Sequence, residues 1–120
     1  MPRILLVEDD PDLQKLMTMK LQMEDFEVES AQTGQEALDM IKKNPDLVLL
    51  DILLPDIDGI TILNEIASHD ATKNIPVIIL SNLADRGSHE QAEAIGDYDY
   101  MVKSKVSLDE VIEKIREKLK

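Results

Sequence analysis

Residues 47–59 read Leu-Val-Leu-Leu-Asp-Ile-Leu-Leu-Pro-Asp-Ile-Asp-Gly, and this stretch decides the fold. Its first four residues are apolar, which is typical of a short strand that is buried on both faces of a sheet. Pro55 cannot extend such a strand, and the acidic residues and Gly59 that follow it are typical of a turn. Asp51 is therefore predicted at the carboxyl end of a central strand, where open α/β sheets bind their ligands. This stretch alone is equally compatible with Asp51 simply starting a turn.

Four other segments of the chain are predicted to be strands. The continuous apolar runs at residues 4–7 and 75–81 indicate two more central strands. The alternating run at residues 26–31 indicates a half-exposed strand near a sheet edge, and residues 98–103 form the fifth strand. These five segments alternate with segments of a different pattern.

The segments that follow the strands show the spacing of amphipathic helices. Candidate capping residues precede three of them, namely Asp10, Thr33 and Ser107, and the last two have capping-box spacing. The fourth helix is predicted only over residues 90–95, after a polar turn at residues 82–88. Five strand–helix units in succession imply a parallel sheet with helices on both faces.

The composition excludes several classes of function. The chain has 120 residues, 43% of them hydrophobic, and we expect a single domain over residues 1–120. It has no cysteine, so disulfides and thiolate metal sites are excluded. A net charge of −12 and an aromatic content of 2% argue against nucleic-acid and membrane partners. Without a leader or a membrane-spanning run, we expect a cytoplasmic protein. His69 and His89 lie outside the predicted strand ends and are expected at the surface.

Chemically useful side chains follow the predicted strands. They are Glu8, Asp9, Asp51, Ser81 and Lys103. The carboxyl ends of parallel strands meet at one edge, where three close carboxylates repel by roughly 4 kcal/mol per pair at an effective dielectric constant of about 20. Bound Mg²⁺ would remove this conflict. Asp51 then becomes a candidate nucleophile for a phosphoryl group, with Lys103 neutralising the group and Ser81 donating a hydrogen bond to it.

In these residues the chain resembles the receiver domain of two-component response regulators, over its whole length. Residues 6–10 are similar to the family's acidic turn and residues 51–59 to its phosphoacceptor loop, while Ser81 and Lys103 fall at the family's Ser/Thr and lysine positions. The resemblance implies a doubly wound (βα)5 fold, α/β and flavodoxin-like, with five parallel strands in the order 2-1-3-4-5. It also implies phosphoryl transfer from a histidine kinase, a phosphotransfer protein or a small phosphodonor to an aspartate, without turnover of an external substrate.

The resemblance assigns a role to each residue of the metal site. Asp51 corresponds to the phosphoacceptor, and Glu8 and Asp9 to the acidic pair, with Asp9 as the direct Mg²⁺ ligand. The backbone carbonyl of Leu53 corresponds to a further ligand. Mg²⁺ is therefore the implied cofactor, bound among Glu8, Asp9, Asp51 and Leu53.

The resemblance also implies a switch. Tyr100, three residues before Lys103, falls at the family's aromatic switch position. A phosphoryl group would draw the Ser81 hydroxyl inward, and Tyr100 would rotate into the space that it leaves. The face built from the fourth helix, the fifth strand and the fifth helix would then change its preference for a downstream effector or for a second copy of the chain in a homodimer.

The chain departs from the family pattern in two positions. Ser104 follows Lys103, where the family usually has a proline joined by a cis bond, and a cis bond before another residue costs roughly 2.5–4 kcal/mol. Either the surroundings retain that strain or the loop is rearranged. Asn82 follows Ser81, where the family commonly has a small residue, and this predicts narrower access to the acyl phosphate. Leu53 and Leu83 flank the site as apolar groups that cannot position water, which predicts slow self-dephosphorylation.

Three other functions are compatible with parts of this sequence. A hydrolase that uses Asp51 in turnover needs an acid two residues later, where this chain has Leu53. A flavin-binding electron carrier needs a neutral phosphate loop, but residues 8–10 are acidic and would repel phosphate. A degenerate receiver that acts as an unphosphorylated interaction module is supported only by Ser104, and the intact set of acids, serine and lysine argues against it.

Overall fold

The computed structural model describes residues 1–82, 86–96 and 98–120, and only the backbone of residues 86–88. Its elements in chain order are β1 (Arg3–Val7), α1 (Pro11–Met23), β2 (Glu27–Ala31), α2 (Gly34–Ile41), β3 (Leu47–Leu50), α3 (Gly59–Ser68), β4 (Val77–Ser81), α4 (Arg86–Ile95), β5 (Asp99–Val102), a 3-10 turn (Lys103–Lys105) and α5 (Leu108–Lys118). All neighbouring strands pair in parallel, in the order β2-β1-β3-β4-β5. The predicted doubly wound α/β fold and its strand order are confirmed.

The central strands carry the core on both of their faces. Nearly every residue of β1, β3 and β4 is buried, as their continuous apolar runs predicted, whereas the edge strand β2 is half exposed. Alternate residues of the sheet pack against α2, α3 and α4 on one face and against α1 and α5 on the other. Across the described residues, no helix has both the length and the apolar character needed to cross a membrane.

Several element boundaries differ from those predicted. α4 begins at Arg86 rather than at residue 90, because its first turn is polar and therefore shows no apolar periodicity. β4 begins at Val77 rather than at Ile75, whose N–H instead closes a turn onto the Thr72 carbonyl. β5 ends at Val102, since the chain enters the 3-10 turn directly after it.

Helix caps account for where the helices start. The Asp10 side chain accepts from the backbone N–H groups of Asp12 and Leu13, ahead of a proline in the first turn of α1. Ser107 and Glu110 form a complete capping box at α5. The predicted caps are thus present where the sequence placed them.

Gly59 allows the loop after β3 to fold back onto the two residues that directly follow that strand, Asp51 and Ile52. Its N–H donates to the Ile52 carbonyl at 2.9 Å. A Cβ atom at this position would lie 2.4 Å from the Ile52 Cα and 2.9 Å from the Asp51 carbonyl oxygen. Both neighbours are backbone atoms, so no side-chain rotation relieves the overlap.

The variant Gly59→Ala should therefore lower the free energy of unfolding by roughly 1–3 kcal/mol, the usual cost of overpacking. Urea denaturation measures this change. Asn64→Ala, at an exposed position of the same helix, is the matched control and should stay within about 0.5 kcal/mol of the wild type. Equal stability of the two variants would show that the close approach of Gly59 to the Asp51 and Ile52 backbone is not required.

Candidate functional site

Buried polar side chains meet at the carboxyl ends of the central strands. Glu8 follows β1, Asp51 follows β3 and Ser81 ends β4, and their exposed fractions are only 2%, 5% and 0%. Lys103 reaches the same point from the end of β5, while Asp9 is exposed beside it. The structure thus brings together the five side chains that the sequence placed at this edge.

The Asp51 carboxylate is held through both of its oxygens. Oδ1 accepts from the Ser81 hydroxyl and from the Leu53 N–H, each at 3.0 Å, and Oδ2 accepts from the Lys103 ammonium at 2.8 Å. The backbone N–H of Asp51 donates to the Val7 carbonyl at 3.1 Å. These contacts fix both the position and the orientation of the carboxylate.

Lys103 joins Asp51 to Glu8. Its ammonium also donates to Glu8 Oε1, and Glu8 Oε2 accepts from the Asp10 N–H at 3.1 Å. Burial raises the pKa of the Glu8 carboxyl, and the hydrogen bond from Lys103 offsets this only in part. Burial alone would lower the pKa of Lys103, but hydrogen bonds to Asp51 and Glu8 outweigh it, so its pKa is raised. The lysine is therefore cationic at neutral pH.

The loop that carries Lys103 is rearranged rather than strained. No peptide bond between described residues is cis, so the Lys103–Ser104 bond is trans. The ammonium nevertheless lies at hydrogen-bond distance from Asp51. Of the flanking residues, Asn82 is exposed, the Leu53 side chain is 54% exposed, and Leu83 lies outside the described residues.

The acidic side chains form a group that fits one small cation. Glu8, Asp9 and Asp51 each offer a carboxylate oxygen, and these atoms all lie within 4.8 Å of one another. Oxygens that share one Mg²⁺, at about 2.0–2.1 Å each, are at most about 4.2 Å apart, so small side-chain rotations suffice. An all-oxygen donor set suits this ion. For Leu53 the structure gives a backbone N–H contact to Asp51, and the role of its carbonyl as a ligand stays a prediction.

Tyr100 lies beside the site on β5, next to Ile79 of β4. Its ring centroid is 4.9 Å from that of His89 in α4, with the planes tilted by 36°. His89 Nε2 also lies 3.1 Å from Glu93 Oε1. Both histidines are exposed as predicted, but the contact between His89 and Tyr100 was not predicted, because it depends on how α4 packs against β5.

Gln14 is another residue that the sequence did not reveal. Its side-chain amide donates to the Glu8 carbonyl at 3.0 Å and to the Ala31 carbonyl at 3.2 Å. It thereby joins α1 to the ends of β1 and β2 and fixes the backbone that carries Glu8. A glutamine on a polar helix face gives no sequence signal for such a contact.

Comparison with known proteins identifies the class to which this fold and site belong. The sequence profile described as "Response regulator receiver domain" matches residues 4–116. The chain belongs to this family. Receiver domains are signalling domains that interact with histidine kinases and effector domains.

Individual relatives agree with this assignment. The DNA-binding dual master transcriptional regulator RpaA of Synechocystis is 32% identical over 97% of this chain and 48% of its own length. The transcriptional regulatory protein TrcR of Mycobacterium tuberculosis is 38% identical over 95% of this chain and 44% of its own length. The chain thus spans about half the length of these relatives. The response regulator TrrA from Thermotoga maritima, solved in complex with Mg²⁺-BeF, has a TM-score of 0.86 and 35% identity, covering 99% of this chain and 100% of that one.

Replacing Lys103, the positively charged side chain at the centre of the site, should lower the stability of the fold, and the size of the loss should depend on pH. In Lys103→Met, Glu8 and Asp51 remain buried without a counter-ion, so we expect a loss of roughly 3–5 kcal/mol at neutral pH. Without the hydrogen bond from Lys103, the folded pKa of Glu8 rises further above its unfolded value. The folded variant then binds a proton more tightly than the unfolded chain, so its stability should recover as the pH falls towards that pKa.

Urea denaturation between pH 7 and pH 5 measures this recovery. Lys20→Met is the control, because Lys20 is a partly exposed lysine that contacts Glu24 and Asp109 at the surface. It should cost no more than about 1 kcal/mol. A Lys103→Met variant whose loss of stability matches that of the control, or does not shrink on acidification, would contradict the prediction.

Proposed function

We propose that this chain is a signalling receiver controlled by phosphorylation. It accepts a phosphoryl group on Asp51 from a histidine kinase, a phosphotransfer protein or a small phosphodonor, in a reaction that requires Mg²⁺. The observation that carries the proposal is the buried Asp51 carboxylate, held by Lys103 and Ser81 beside two further acids. Membership of the receiver family supports it.

The proposed Mg²⁺ ligands are the carboxylates of Glu8, Asp9 and Asp51 and the carbonyl oxygen of Leu53. Bound among them, the ion supplies positive charge against the oxygens of the transferring phosphoryl group. Two features of the chain favour a cation here. The carboxylate oxygens of Glu8, Asp9 and Asp51 lie within 4.8 Å of one another, and these three acids share only one nearby cation, Lys103, among the contacts of the described residues.

In the transfer step, an oxygen of Asp51 forms a bond to phosphorus while the bond between phosphorus and the donor breaks, a bond to a histidine nitrogen in a protein donor or to a carboxylate oxygen in acetyl phosphate. The electron pair of that bond stays with the donor, which leaves as an imidazole that takes up a proton or as the acetate anion. Lys103 keeps its charge, because its pKa is raised, and pairs with the transferred phosphoryl group. The Ser81 hydroxyl moves its hydrogen bond from Asp51 Oδ1 to a phosphoryl oxygen.

This movement of Ser81 is the proposed start of the conformational switch. It frees space at the end of β4, and the Tyr100 ring, on the neighbouring strand, rotates into that space. The ring then leaves His89, which alters how α4 lies against β5. The face formed by α4, β5 and α5 thereby changes its affinity for a downstream effector or for a second copy of the chain. We propose that the protein carries out this switch in the cytoplasm.

The phosphoacceptor is tested by intact mass after incubation with Mg²⁺ and acetyl phosphate. The wild type should gain a single phosphoryl adduct, and Asp51→Asn should gain none. Asp58→Asn, at an exposed position of the same loop, should keep the adduct, because asparagine also caps a helix well.

Three results would contradict this proposal. An adduct in Asp51→Asn would place the acceptor elsewhere. Continuous release of phosphate would indicate a hydrolase. An unmodified wild type would favour the degenerate receiver, for which the serine at position 104 is the supporting observation.

The switch is tested by tyrosine fluorescence, because the chain has no tryptophan and its tyrosines are Tyr98 and Tyr100. Adding Mg²⁺ and beryllofluoride should change the emission as Tyr100 leaves His89. Tyr98→Phe should retain this change and Tyr100→Phe should abolish most of it. An effect that follows Tyr98 instead would remove Tyr100 from the switch.

A further inference from the structure

The loop between β3 and α3 caps a helix to which it is not directly connected. In that loop, Asp56 Oδ1 accepts from the Gly34 N–H at 2.7 Å and Oδ2 accepts from the Gln35 N–H at 3.1 Å. These are the first two amides of α2. The helix's own N-cap is Thr33, whose hydroxyl oxygen accepts from the next amide, the Glu36 N–H, at 3.2 Å. Asp56 therefore completes the start of α2 from 22 residues away in the sequence.

Packing joins the same two segments. A Cβ atom at Gly34 would lie 2.7 Å from the Ile57 Cβ and 3.2 Å from Asp56 Oδ1. The absence of a side chain at Gly34 thus allows the loop to lie directly against the first turn of α2. We call these contacts, from Asp56 and Ile57 to Gly34 and Gln35, the α2 clamp.

The α2 clamp lies between the two ends of a loop that holds the Asp51 carboxylate. At its start, the Leu53 N–H donates to Asp51 Oδ1 at 3.0 Å. At its end, the Gly59 N–H donates to the Ile52 carbonyl at 2.9 Å. At the start of the loop the Leu53 side chain is 54% exposed, so its own burial does little to hold the Leu53 backbone in place.

We propose that Asp56 is a positioning residue for the phosphoacceptor. Through the α2 clamp it holds the loop against α2, and this keeps the Leu53 N–H on Asp51 Oδ1 and the Leu53 backbone beside the acidic group. The consequence for metal binding rests on the proposed function, whereas the orientation of Asp51 by Leu53 does not.

The strength of the clamp follows from its chemistry. A carboxylate that accepts two backbone N–H groups at a helix N-terminus forms charge-assisted bonds, roughly twice as strong as neutral ones. The hydrogen bond from Gly34, followed by that from Gln35, holds the pKa of the Asp56 carboxyl below its ordinary value. The bonds are therefore present throughout the neutral range.

Amide hydrogen exchange, followed by NMR in the metal-free protein, tests the proposal. In Asp56→Ala we expect exchange at Leu53 to rise roughly tenfold, the size of one lost hydrogen bond. Asp58→Ala is the matched control, because it removes the same charge and a helix cap from the same loop, where Asp58 accepts from the Ile60 N–H at 2.9 Å. Its Leu53 exchange should stay within about twofold of the wild type.

Two further variants separate the clamp from loss of charge and from loss of folding. Asp56→Asn removes the charge but keeps one acceptor oxygen, so its exchange at Leu53 should fall between those of the wild type and Asp56→Ala. Gly34→Ala keeps the charge but pushes Ile57 away. If Asp56→Ala fails to fold, Gly34→Ala decides the question, since faster exchange at Leu53 supports the clamp and unchanged exchange overturns it.

The overturning result is specific. If Asp56→Ala speeds exchange at Gly34 and Gln35 but not at Leu53, Asp56 caps α2 and does not position the acceptor. Equal effects of Asp56→Ala and Asp58→Ala would also overturn the proposal, because they would reflect charge or general loosening of the loop.

A titration with Mg²⁺ then relates the clamp to the proposed function. Asp56→Ala should bind the ion roughly tenfold more weakly than Asp58→Ala, which has the same charge. Failure of the wild type to bind Mg²⁺ would count against the proposed function and leave the exchange result intact. Equal Mg²⁺ affinity in the two variants, with the wild type binding normally, would overturn the metal part of the inference alone.

Discussion

One partly buried cation, the ammonium of Lys103, holds together the ends of the strands that carry the candidate site. The Lys103 ammonium lies between Glu8 and Asp51, which are almost wholly buried, and so links the ends of β1, β3 and β5. A buried ion pair adds little net stability compared with apolar side chains of the same size, because both charges must be desolvated. The presence of this ion pair at the edge of an apolar sheet is therefore better explained by a role in the candidate site than by a gain in folding stability. The lysine offsets the repulsion between two carboxylates that lie close together, and its hydrogen bond lowers the pKa of Glu8 against the effect of burial.

The residues that form the core and the polar residues of the candidate site lie in different parts of the sheet. Apart from Arg3 at the start of β1 and Ser81 at the end of β4, the residues of the central strands are apolar, and they pack on both faces of the sheet. Polar residues begin where those strands end, and parallel pairing brings these ends to one edge. A side chain such as Ser81 is fully buried there because it closes a strand, and yet its hydroxyl reaches Asp51.

Much of this arrangement could be predicted from the sequence, because it depends on local patterns and on one rule of topology. Apolar runs located the strands, and the rule that parallel strands share a carboxyl edge gathered Asp51 and Lys103. Other features are tertiary and leave no local pattern. The contact of His89 with Tyr100 requires the position of α4, whose polar first turn hides its start. The bond from Asp56 to α2 joins segments that are distant in the sequence, and an aspartate in a turn is fully explained by the turn itself.

The attachment of the acceptor loop to α2 gives that helix a significance beyond packing. If the first turn of α2 restrains the loop, a force that displaces α2 would be transmitted to the backbone next to Asp51 without any contact at the acidic residues themselves. A cavity between α2 and α3, lined among others by Leu38, Ile41 and Ile66, marks where these two helices are less tightly packed.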